Sequence, residues 1–220
     1  MMLKKKSERL PQGEAYQRIL EAAEPLFAER NPELVSFRDL ASAAGVSLSA
    51  INYHFGTRQA LFRHIFLRRA RAQTERRSAS LQQLKLTGLE NDIEAIIEAF
   101  VQPALNVQPG DKHDLFNKMR ARLVADASPD SRATLSEAYD VNDRLFVEAL
   151  AKALPHLSLK DVHWRFHFLV GSMIYTMSDF GQLAEISSGV CSPEDSSESI
   201  RYIIQAFAAA LRAPATSPAP

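Results

Sequence analysis

Cys191 is the single cysteine among 220 residues, which excludes an intramolecular disulfide and any zinc site built on cysteine pairs and suits a reducing compartment. Glycine is scarce too, at 8 residues, and none of it forms the glycine-rich loop by which nucleotide-binding folds cradle phosphates. No stretch of about 18 uncharged apolar residues is available to span a bilayer. Lys4, Lys5 and Lys6 could open a secretory signal, but the apolar run that must follow them is missing. The expectation is a cytoplasmic protein without membrane contact. Nucleophile elbows and paired carboxylates in an acid–base setting are likewise missing, so neither an enzyme, a catalytic residue nor a cofactor is expected.

Charge of one sign is lacking only in total: 26 Lys and Arg balance 26 Asp and Glu. Residues 1–80 hold 14 basic against 8 acidic side chains, leaving 12 against 18 for the rest. A basic leading third on an acidic body is the distribution of a nucleic-acid-binding module attached to a non-binding domain. Hydrophobic residues make up 46% of the chain, enough to bury a core at this length.

The hydrophobic spacing is helical throughout, with no convincing strand, so the fold class is all-α with about nine helices. Residues 13–30 set Ile19, Ala22, Ala23, Leu26 and Phe27 on one face, and Pro25 within them predicts a kink rather than a break. Ser36 followed by Asp39 makes an approximate capping box for a short second helix that points Phe37, Leu40 and Ala41 inward and ends at Gly45. Val46 plugs the turn, Ser47 caps a third helix reaching Phe55, and a long fourth helix begins at Arg58. Further helices are expected over 90–101, 112–127, 131–154, 159–184 and 194–212. Residues 1–57 form the expected head with a basic arm, 58–212 the body, and 213–220, rich in alanine and proline, a disordered tail.

Two short helices joined by a three-residue turn make a helix-turn-helix, whose second helix fits the major groove of DNA. Ser47, Leu48, Ser49 and Ala50 at its N-terminus are expected at DNA, the last three meeting base edges: Ser49 can exchange hydrogen bonds, and Leu48 and Ala50 can pack on a thymine methyl. Asn52 can pair bidentately with adenine. Tyr53 and His54 suit phosphate oxygens, Arg58 adds charge at a helix start, and Lys4, Lys5 and Lys6 can neutralise phosphates as an arm.

The run Ala41-Ser42-Ala43-Ala44-Gly45-Val46-Ser47, followed by Ile51-Asn52-Tyr53-His54-Phe55-Gly56-Thr57-Arg58-Gln59-Ala60-Leu61, resembles the signature of the TetR family. The resemblance extends upstream through Arg18–Ala23 and Leu26–Glu29 and covers residues 13–66. It implies a three-helix DNA-binding head on a divergent ligand-binding body that dimerises through its last two helices. It also implies phosphate contacts from Tyr53, His54, Arg58 and Ser36. Three positions depart from the family pattern: Asn31-Pro32 stands for glycine, Pro25 interrupts the first helix, and Arg58 replaces lysine.

A regulator of this kind is expected to be a repressor, released from a palindromic operator in double-stranded DNA when a small apolar or amphipathic effector binds one head spacing better than another. Candidate pocket residues are Phe116, Met119, Arg120, Leu123, Phe146, Trp164, Phe168, Met173, Tyr175 and Met177, each also readable as core. Trp164 to Phe168 with Gly171-Ser172-Met173 is similar to family members that answer to a fatty acid or acyl-CoA. A homodimer interface is expected from Leu169, Ser172, Tyr175, Ile203, Ile204, Phe207, Ala208 and Leu211. His163 and His167 stand four apart, a metal-competent spacing without an evident third ligand, so no metal is expected. The alternative is a chromosome-organising DNA-binding protein whose body docks a protein partner; a filled body with an exposed apolar patch would favour it.

Overall fold

The computed structural model describes residues 12–106, 112–178, 181–192 and 195–216. Among these, ten α-helices and one 3-10 turn account for all regular structure: α1 (Gln12–Glu29), a 3-10 turn (Pro32–Leu34), α2 (Phe37–Ala44), α3 (Leu48–Phe55), α4 (Arg58–Thr87), α5 (Ile93–Leu105), α6 (Lys112–Ala125), α7 (Pro129–Ala153), α8 (Leu159–Met177), α9 (Gln182–Ile186) and α10 (Ser196–Arg212). None is long and apolar enough to cross a membrane. The chain divides into two compact units after Phe66.

In the first unit α1, α2 and α3 pack on one another, and α1 runs unbroken through Pro25. Ile19, Leu20, Ala23 and Phe27 of α1, Leu40 of α2 and Ile51 of α3 are buried together with Leu61, Phe62, Ile65 and Phe66 of α4. The unit extends past Thr57 because these four residues belong to its core, with Phe27 meeting Phe62 edge to face at 5.5 Å. Ser36 forms the full capping box: its hydroxyl accepts from the Asp39 amide at 3.1 Å and its own amide donates to Asp39 Oδ2 at 3.2 Å. Gly45 closes α2 at φ +64°, a left-handed conformation natural to glycine. The Asn31-Pro32 departure makes the 3-10 turn, whose start is fixed when Asn31 Oδ1 accepts from the Glu33 amide.

In the second unit the core gathers α5, α7, α8 and α10 around Phe100, Phe146, Phe166, Leu169 and Ile203. Phe100 meets Phe146 at 5.0 Å and Phe166 at 4.9 Å, both edge to face. The helix expected over 159–184 ends at Met177, and α9 is a separate short piece. The tail expected to be disordered from residue 213 is held as far as Thr216. Arg165 donates to the carbonyls of Ala210, Leu211, Ala213 and Pro214, and the Thr216 amide donates to Asp161 Oδ1. These bonds satisfy the carbonyls left open at the end of α10. Residues 217–220 lie outside the described residues.

Candidate nucleic-acid interface

The short helix α3 is built to show one side. Ile51 is completely buried, while Ser47, Leu48, Ser49, Asn52 and Tyr53 are exposed, Tyr53 at 73%. Ser47 begins the helix: its hydroxyl accepts from the Ala50 amide at 3.2 Å and lies 2.9 Å from Ser49 Oγ. That cap occupies the Ala50 amide, and the N-terminus of a helix favours anions. Asn52 Nδ2 donates to the Leu48 carbonyl at 3.2 Å, so a base that took this amide would have to displace an internal bond.

A ring cluster braces the other end of α3. Tyr16 of α1 stacks on Phe55 at 5.5 Å and meets His54 edge to face at 5.7 Å, and its hydroxyl lies 2.5 Å from His64 Nε2 of α4. Tyr53 in turn meets His54 at 5.2 Å. The cluster fixes the exit of the helix and keeps His54 half-buried with Tyr53 outside it. Tyr16 and His64 are contributors that sequence reasoning missed. An aromatic and an imidazole on separate helices give no local pattern, and only packing brings them together.

Arg58 shows why a guanidinium replaces lysine. Its Nη1 donates to the carbonyls of Glu33 at 2.6 Å and Val35 at 3.2 Å, tying the start of α4 to the 3-10 turn. The rest of its planar fork remains half-buried at the surface. The Ser36 hydroxyl and amide hold the Asp39 carboxyl below its ordinary range, chiefly through the side-chain bond. Lys4, Lys5 and Lys6 lie outside the described residues.

The model of the bacterial regulatory proteins of the tetR family matches residues 19–65, and that of the tetracyclin repressor-like C-terminal domain matches residues 98–210. The chain belongs to the TetR family of transcriptional regulators. Its members are DNA-binding regulators, not enzymes, and α2 and α3 both fall within the matched residues 19–65. No curated protein is a significant match. Solved TetR-like folds match over nearly the whole chain. The fatty acid degradation regulator FadR from Bacillus halodurans has TM-score 0.67 at 16% identity, covering 95% of this chain and 99% of its own. The regulator PfmR from Thermus thermophilus has TM-score 0.64 at 20% identity, covering 90% and 95%. A transcriptional regulator from Saccharomonospora viridis in complex with choline has TM-score 0.62 at 20% identity, covering 88% and 96%.

In the body of this TetR regulator the expected pocket residues divide. Phe116, Met119, Arg120, Leu123, Phe146 and Met173 are buried and Met177 is half-buried, whereas Trp164, Phe168 and Tyr175 stand 54%, 56% and 65% exposed. The latter three cannot line an interior, because α8 turns Val162, Phe166, Leu169 and Met173 inward at helical spacing and leaves them on its outer side. The expected interface divides in the same way. Leu169, Ile203, Ala208 and Leu211 belong to the subunit's own core, Ser172, Ile204 and Phe207 are half-buried, and Tyr175 is exposed. His163 and His167 are exposed, and no metal-competent group of three side chains occurs among the described residues.

Proposed function

We propose that this TetR regulator is a repressor that holds a palindromic operator as a homodimer and leaves it when a small apolar or amphipathic effector enters the body. The observation that carries the DNA half of this reading is the one-sided α3, with Ile51 at 0% exposure and Tyr53 at 73%. Ser49, Leu48, Ala50 and Asn52 are the residues offered to base edges, and Tyr53, His54, Ser36 and Arg58 those offered to phosphates. Lys4, Lys5 and Lys6 add phosphate contacts from the arm.

The dimer half is supported by α8 and α10, which pack on each other. Beyond their buried stripes they leave Trp164, Phe168, Tyr175 and Tyr202 exposed, and such a set of large rings is what a protein partner covers. Two copies related by a two-fold axis present two recognition helices and require a palindromic site. The effector half is supported by FadR being a fatty acid degradation regulator, which makes an acyl compound the first class to test.

The test is fluorescence anisotropy against a pool of duplexes, combined with native mass spectrometry. A dimer that selects palindromes from the pool, binds them with steep salt dependence and dissociates on addition of an acyl compound supports all three parts. A monomer at micromolar concentration overturns the dimer, and the absence of salt-sensitive binding to any duplex overturns the reading at its root.

A further inference from the structure

The inward side of α4 carries Ala70, Gln73, Arg77 and Leu81 at spacings of three and four, all buried. Two of the four are polar, and Arg77 is at 0% exposure, among the largest fully buried side chains of the body. Its Nε donates to the Phe100 carbonyl at 2.7 Å and its Nη2 to Met173 Sδ at 3.3 Å, and its guanidinium carbon lies 3.8 Å over the Phe100 ring. Nη1 has no hydrogen-bond partner among the described residues. From α6 comes a second buried guanidinium. Arg120, at 2% exposure, donates from Nη1 to Gln73 Oε1 at 3.3 Å and lies 4.1 Å over the Tyr139 ring, while its Nε has no partner among the described residues.

The pair lacks a full counter-charge. The only buried carboxylate of the body among the described residues is Asp161, which is engaged by Ser158 and Thr216. Half-buried Asp143 of α7 feels both guanidiniums, yet its Oδ1 too is unpartnered among the described residues, and burial pushes its carboxyl above the ordinary range. Burial, and then the like charge of Arg120, pushes Arg77 down to about 9, so it stays cationic at neutral pH. One carboxylate cannot neutralise two guanidiniums. An unmade donor on a buried cation is costly, and its retention calls for a bound group that completes it.

We propose that Arg77 and Arg120 together form the seat of an anionic ligand inside the body, and that this ligand is a carboxylate with an apolar tail. Guanidinium N–H groups make strong charge-assisted bonds to a carboxylate, and the two unpartnered nitrogens, Nη1 of Arg77 and Nε of Arg120, can serve its two oxygens. Phe100 and Met173 touch Arg77, Phe146 packs on Phe100, and Phe116 and Met119 share α6 with Arg120; all five are buried and apolar, which suits a tail and disfavours a second charge. A cation is excluded by the same two guanidiniums. The seat names the chemical class of the effector and rests on the effector reading only for its consequence at DNA.

The test is isothermal titration of the full chain, without DNA, with sodium octanoate and sodium benzoate against 1-octanol and benzyl alcohol. Saturable binding of at least one acid, tighter than its matching alcohol by roughly ten- to a hundredfold, is expected from one lost charge-assisted contact. Arg120→Met should shrink that preference several-fold, by weakening the acid more than its matching alcohol. Should the variant fail to fold, the acid-against-alcohol comparison on the unmodified chain still decides. Equal binding of acids and alcohols overturns the proposal, as does failure of both acids to bind at millimolar concentration. An acid that binds through the arginines while DNA stays bound upholds the anion seat and defeats the effector reading. An uncharged compound that releases DNA while no acid binds defeats the seat alone.

Discussion

Arg58 and Tyr53 sit five residues apart and divide the labour of the head between holding and contacting. Arg58 bridges two carbonyls across 25 and 23 residues of chain. A lysine keeps the charge but, with a compact ammonium, cannot hold both carbonyls in the same fork geometry. Arg58→Lys is expected to lower stability by about 1 kcal/mol, one net hydrogen bond, read as a lower urea midpoint at unchanged slope. Tyr53 has the opposite balance, with most of its surface in solvent and only an edge contact to His54. Tyr53→Phe should leave the melting temperature unchanged and weaken DNA binding by about 1 kcal/mol, roughly fivefold, equally for matched and mismatched duplexes. A loss confined to matched duplexes would mean that the hydroxyl reads bases rather than phosphate.

At the scale of elements, the ends of helices carry the specificity of the fold. Gly45 takes φ +64° and its N–H reaches back to the end of α2, while a Cβ there would meet nothing nearer than Arg18 Nη1 at 3.9 Å. The cost of Gly45→Ala is therefore conformational, not steric, and about 1–2 kcal/mol of stability should be lost in thermal unfolding. In the body, Arg212 at the last turn of α10 makes a two-point contact with Glu94 in the first turn of α5, both bonds at 2.5 Å. Those bonds hold the Glu94 carboxyl below its ordinary 4.5. A lowered carboxylate stabilises the folded state above its unfolded pKa and is lost as pH falls through its folded value. Both side chains are half exposed, so the effect is modest. Glu94→Gln should melt slightly below the unmodified chain at pH 7, with the gap closing on acidification below pH 4.5.

For the molecule as a whole, the charge division decides how DNA is approached. Fourteen of the 26 basic side chains fall in residues 1–80, with 8 acidic ones, and the body is acidic in balance. An acidic body is repelled by the duplex, so the head alone should set the salt response. Replacing Lys4, Lys5 and Lys6 with alanine is expected to reduce the slope of log affinity against log salt by about 2–3, with the preference between duplexes unchanged. An unaltered slope in a salt titration would show that the arm takes no part.

The helix-turn-helix was legible in the sequence because its determinants are local. A capping serine at 36 and 47, a glycine that must turn left-handed at 45 and the single inward Ile51 each act within a few residues. The same local reasoning, applied to α8, expected Trp164 and Phe168 inside and left Tyr175 between pocket and interface, because an aromatic side chain looks alike in sequence whether it faces a core or a solvent side. Nothing local distinguishes Arg77 from its basic neighbours Arg71 and Arg76, although it shares a stripe with Ala70, Gln73 and Leu81 that the fold turns inward. Residue order thus determined the all-helical class, the head and the sign of each part's charge, all of which depend on neighbours along the chain. Which side of each body helix is interior, and hence that two arginines lie buried beside each other, was decided only when distant helices packed, since burial is a property of the assembled core and not of any one segment.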